Sequence, residues 1–224
     1  VAVSGGTIKG SVVGGHADNG SVTGNSVAVS DGSLSTSVYG GYAVSGTVSS
    51  NSVAVSGGTI KGTVYGGLER NNGSATNNSV TIDHTASDSG ITSIGGNVYG
   101  GSAAIVSGNN VTIKQTSGIT SVGKTVYGGY ANNGTVNGNS VAVSGGSIKG
   151  SVYGGQADSG TVSSNSVGGS GGSISKVYGG QAGGGTVNGN SVTVSGGTIG
   201  SVYGGGVKID GSAPSNSVTS NSLI

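Results

Sequence analysis

The chain has 224 residues, including 52 glycines and one proline, with no Cys, Met, Trp or Phe. Eight Lys or Arg stand against seven Asp or Glu, a formal charge of +1. These charges are dispersed, which sets aside nucleic acid as a partner because phosphate binding needs a basic stripe. No apolar run reaches the ~18 residues of a membrane span. The absence of Cys removes disulfides and thiol chemistry and is compatible with secretion.

The chain opens on a strand-like Val1-Ala2-Val3 and lacks both an initiating Met and a signal peptide, as expected of a processed or partial chain. Aligned on Asn-Ser-Val, repeat units start at Val1, Val27, Val53, Val80, Val111, Val141, Val167 and Val192, with a partial ninth from Val218. The unit is about 26 residues long and reads NSVAVSGGTIKGSVYGGxAxxGTVxG. Gly, Ser and Asn at this abundance would mean disorder without a period. A strict period predicts order and a single repeat domain over 1–224.

Three segments per unit alternate with period two, the mark of half-buried strands. Asn25-Ser26-Val27-Ala28-Val29 puts Asn, Val and Val on one face. Thr59-Ile60-Lys61-Gly62-Thr63-Val64 puts Ile and Val on one face, and Gly134-Thr135-Val136 is the short third segment. Pairs such as Gly57-Gly58 and Gly66-Gly67 are expected at turns requiring positive φ. One unit cannot bury its apolar face alone, so the fold class expected is all-β: a parallel β-solenoid of eight coils. In-register stacking at ~4.8 Å places Val on Val and Asn on Asn, with an Asn amide ladder inside a rod roughly 38 Å long. The likeness of GTVNGNSV to GTIKGSV suggests two similar halves per coil and a flattened cross-section.

Coils four and five are longer. Val80 to Tyr99 exceeds Val53 to Tyr65 by seven residues, and Val111 to Tyr127 exceeds it by four. Both carry a related phrase, Gly90-Ile91-Thr92-Ser93-Ile94 and Gly118-Ile119-Thr120-Ser121-Val122. Adjacent insertions predict a paired protrusion decorated by Asp83, His84, Asp88, Lys114, Gln115 and Lys124, either a binding face or neutral loop growth.

Tyr39, Tyr65, Tyr99, Tyr127, Tyr153, Tyr178 and Tyr203 share one position, which Val13 occupies in the first coil. Alternation points them outward, as a ligand or lateral-contact surface or as a stabilising ladder. Lys9, Lys61 and Lys149 share another outward position, read as a solvated face. Catalysis needs convergent titratable groups. His16 and His84 lie in different parts of the repeat, and the Asp residues do not recur at the spacing of calcium solenoids. No catalytic residue, metal or cofactor is expected. An enzyme of this architecture would have to gather charges from distant repeats near the insertions.

The NSVxVSGGTIxGxVYGG pattern resembles the Gly-rich repeats in passengers of bacterial autotransporter adhesins, over essentially the whole chain. A looser similarity joins it to curli-like functional amyloids, whose glutamine ladder is missing here. The first resemblance implies a bacterial cell-surface location and a β-helical shaft; host or matrix glycans are the partners expected for the outward Tyr column, whose aromatic faces suit sugars. The ends, Val1, Ala2 and Val3 with Val218 and Thr219, are expected either to continue into flanking repeats or to pair with further copies, building a filament.

Overall fold

The computed structural model describes residues 1–85, 90–207 and 217–224. It is an all-β parallel solenoid of about eight turns of roughly 26 residues. The expected register holds from coil to coil: Val27 lies on Val53, then Val80, Val111, Val141, Val167 and Val192. The ninth unit joins differently. The backbone of Val218 pairs in register with Val187, in the Gly-Thr-Val segment, and that of Leu223 with Val192. The chain holds two Asn-Ser phrases here, and it is Asn221-Ser222 that continues the column.

Coil three shows the layout as four strands, Ser52–Val55, Gly58–Ile60, Val64–Glu69 and Ser74–Thr76. The single segment expected over Thr59–Val64 is broken at Lys61-Gly62-Thr63. Ile60 and Val64 are nevertheless both fully buried, because a chain that turns a corner can keep the same faces inward. Gly58 has φ 81, as a turn requires. Gly66 and Gly67, expected at a turn, instead lie within the strand Val64–Glu69.

The interior is divided unequally. The larger core takes Val53, Val55, Ile60 and Val64 from coil three and their equivalents from the others. Burying each such side chain is worth about 1.5–3 kcal/mol. A narrower core on the other side is lined by Ala and Val, as at Ala131, Val136, Ala157 and Val162.

A column of asparagines runs through the interior. Each amide Nδ2 donates to Oδ1 of the next coil, from Asn25 through Asn51, Asn78, Asn109, Asn139, Asn165 and Asn190 to Asn221, at 2.8–3.0 Å. The same Oδ1 accepts the backbone N–H of the Asn before it, as at Asn139 from Asn109 (3.0 Å). Nδ2 also donates to main-chain carbonyls, at Asn165 to Val136 O (3.0 Å). Such bonds occupy both the oxygen and the nitrogen of an amide inside the column, as at Asn139, which buried polar groups require.

Two backbone features seat this spine. The residue before each Asn is left-handed: Gly24, Ser50, Asn77, Gly108, Gly138, Ser164, Gly189 and Ser220 all have φ between 53 and 72. Glycine enters this region without the steric cost other residues incur. Opposite the amide, the second Gly of Tyr-Gly-Gly leaves no room for a side chain. A Cβ at Gly155 would stand 2.5 Å from Asn165 Nδ2 and 2.8 Å from Val136 Cγ1.

The insertions fit this frame in a way their phrase concealed. Ile91–Ile94 and Ile119–Val122 are the second strands of coils four and five; they pair with each other, Ile91–Ile94 also pairs with Gly58–Ile60, and Ser121-Val122 with Ser147-Ile148. The extra residues precede them.

Candidate functional surface: a tyrosine ladder and its open end

The seven Tyr residues form a continuous stack on the outside of the solenoid. Successive rings from Tyr39 to Tyr203 are 4.7–5.4 Å apart and within 10° of parallel. In-register pairing imposes this, as with Val98-Tyr99 on Val126-Tyr127. Each aromatic contact adds about 0.5–1.5 kcal/mol beyond its buried area. Most of the rings are half-buried, and Tyr203 is the most exposed at 43%.

A second column stands beside it, three residues on, and holds His16, Tyr42, Leu68, Ser102, Tyr130 and Gln156 in register. The expected site did not include it, although its aromatics are readable as the x of Tyr-Gly-Gly-x in the aligned repeat. Tyr42 leans on Tyr39 at 5.6 Å and Tyr130 on Tyr127 at 5.5 Å. Tyr130 Oη donates to Asp158 Oδ2 at 2.7 Å.

Burial pushes the hydroxyl pKa of Tyr65, Tyr99, Tyr127, Tyr130, Tyr153 and Tyr178 upward. Neighbouring groups that would carry like charge add to this, such as Tyr39 at Tyr65, where Arg70 partly opposes it. A raised pKa means the folded chain holds these protons more tightly than the unfolded one. The resulting stability is fully present below the unfolded value of 10.0 and is lost as pH rises through the folded values. Urea melts between about pH 9 and about pH 11 are therefore expected to show a steep drop in midpoint. Ionisation of these six tyrosines should accompany unfolding. Their ionisation near pH 10 with no loss of structure would contradict this.

The residues expected on a protrusion are not gathered into one site. Asp83 and His84 are buried, at 8% and 3% exposure, and point into the structure as a plug. Asp83 accepts from Thr116 N (2.9 Å) and Thr116 Oγ1 (2.7 Å). His84 Nδ1 lies 3.2 Å from Thr92 Oγ1, and its backbone N–H donates to Thr120 Oγ1 at 3.2 Å. Thr92 and Thr120 are fully buried, so the added residues satisfy polar groups inside the coil. Lys114 and Gln115 are exposed, and Gln115 Nε2 donates to Gly118 O (3.0 Å). Lys124 lies beyond the strand Ile119–Val122 on a different corner. Asp88 lies outside the described residues.

That corner also carries Lys9, Lys61, Lys149 and Lys176, all exposed. Its register is fixed by backbone bonds such as Lys61 N to Leu34 O and Gly150 N to Lys124 O. Among the described residues no carboxylate pairs with these lysines; the one ion-pair contact is His16 Nε2 to Asp18 Oδ1 at 3.6 Å. The lysines are not consecutive there: Ser35 stands between Lys9 and Lys61, and Gly95 and Gly123 between Lys61 and Lys149.

The Tyr stack ends at Tyr39. Val13 is its register partner in the first coil, leaving a hollow of about 300 Å³ lined by Ser11, Val13, His16, Tyr39, Tyr42 and Arg70. Compared with protein-family models, curated proteins and solved structures, the chain matches none.

Proposed function

We propose that this chain is a structural rod: the shaft of an extracellular, adhesin- or passenger-like protein of the bacterial surface. The observation supporting this is that the Asn spine and the Tyr stack each run through nearly every coil. The repeated residues are spent on joining coils, and a rod so built gives reach and display. Host or matrix glycans are the partners this reading names. The test is antibody labelling of intact source cells. Surface label that is removed by protease shaving is expected; label seen only after permeabilisation would overturn the reading.

End-to-end assembly into a filament is the alternative. Ala2 and Val3 pair with Ala28 and Val29 on one side, and Thr219 with Asn188. End-to-end assembly would add a further strand beside each of them, as unpaired strand edges recruit strands. Negative-stain microscopy across a concentration series separates the readings. Filaments would favour assembly, whereas short rods at every concentration would leave the shaft.

A further inference from the structure

From the hollow at the first coil, we infer that the rod carries a binding site for an acidic pyranose, a hexuronate or similar carboxylate-bearing sugar. The site goes beyond the rod reading and stands on the geometry of coils one to three alone.

Three features converge there. First, Tyr39 is stacked on Tyr65 on one side (5.1 Å), while its register partner on the other side is Val13 rather than a ring. Valine is too small to cover an aromatic face, so the hollow opens against Tyr39. Second, Tyr42 closes one wall and is held between two groups. The His16 ring stacks on it at 5.1 Å and 18°, and the Arg70 guanidinium carbon lies 5.6 Å from its centroid. Third, among the described residues no carboxylate pairs with Arg70.

The volume, about 300 Å³, is at the lower end for ligand pockets and suits a single ring. The apolar C–H face of a pyranose packs on an aromatic ring, which buries apolar area while the rim stays wet. Ser11 and His16 offer hydrogen bonds to that rim. Arg70 offers a planar fork matched to a carboxylate, with two parallel N–H donors. Its cation–π contact with Tyr42 orients the fork before binding. Asp18, beside His16, disfavours an anion at that end and leaves Arg70 as the carboxylate partner.

The test is NMR titration of the tyrosine ring resonances with methyl glucuronide, with methyl glucoside in parallel. Saturable shifts at Tyr39 and Tyr42 are expected with the glucuronide, and binding about tenfold weaker for the glucoside. Val13→Tyr supplies the missing ring and is expected to abolish binding while leaving thermal melting unchanged or raised. Arg70→Gln, at an exposed position, is expected to bring the glucuronide down to the level of the glucoside, and it gives the answer even if Val13→Tyr misfolds. Equal affinity for the two sugars, undiminished binding in Val13→Tyr, tighter binding of benzoate than of glucuronide, or no saturation would each overturn the inference. None of these outcomes bears on the cell-surface labelling, so failure of the site and failure of the rod reading are distinguishable.

Discussion

Replacing Asn139 by Ala is expected to cost about 3–5 kcal/mol of stability, among the largest effects of any single substitution in this chain. Asn139 Oδ1 accepts both the backbone N–H (3.0 Å) and the Nδ2 (2.8 Å) of Asn109. Its own Nδ2 donates to Asn165 Oδ1 (2.9 Å), Val106 O (3.3 Å) and Asn137 O (3.2 Å). Truncation strands the backbone N–H of fully buried Asn109, takes one of three acceptors from its Nδ2, which still donates to Ala75 O and Ser107 O, and removes one of the two donors to Asn165 Oδ1. Each stranded group costs about 1–3 kcal/mol. The same change at Asn25, which is less buried and donates to Asn51 at one end of the column, is expected to cost about 1 kcal/mol. Denaturant melts followed by circular dichroism provide the comparison. Equal losses at the two positions would mean that burial of the column does not determine its strength.

Gly155→Ala is expected to be the second severe change, at about 2–4 kcal/mol. The added methyl would stand 2.5 Å from Asn165 Nδ2 and 2.8 Å from Val136 Cγ1, so it displaces the spine and crowds the narrow core. No positive φ is involved at Gly155; the cost is steric. Gly168→Ala is the control. A Cβ there meets nothing within 4 Å, and the change is expected to be neutral or to stabilise by about 0.4–1 kcal/mol through the unfolded chain. Combining Gly155→Ala with Asn165→Ala should cost clearly less than the sum of the two, because truncating the amide makes room for the methyl. Additive losses would show that the close approach is not the cause.

These expectations separate what could be read in the chain from what could not. The columns were readable because stacking turns a one-dimensional period into a contact rule: equivalent positions meet. Asn139 and Asn165, or Tyr127 and Tyr153, are about 26 residues apart in the sequence and adjacent in space, so the amide ladder and the ring stack follow from period alone. What alternation cannot supply is where the chain bends. Ile60 and Val64 are buried on either side of a corner, and a straight strand would have shown the same pattern.

Composition was equally blind to why two glycines adjoin each Tyr. Positive φ explains Gly58, but Gly67 and Gly155 are set by amides reaching them across the interior. The insertions misled for a related reason. Ile91–Ile94 resembles added sequence yet pairs with Gly58–Ile60, while before it Asp83 is held by Thr116 and His84 by the buried hydroxyls of Thr92 and Thr120. The solenoid, its register through coil eight and its two repeated ladders follow from the order of residues, because these depend only on like meeting like. The four-strand coil, the glycine–asparagine seat and the hollow at Tyr39 emerge only in three dimensions. Each depends on contacts between unlike positions, and no period encodes these.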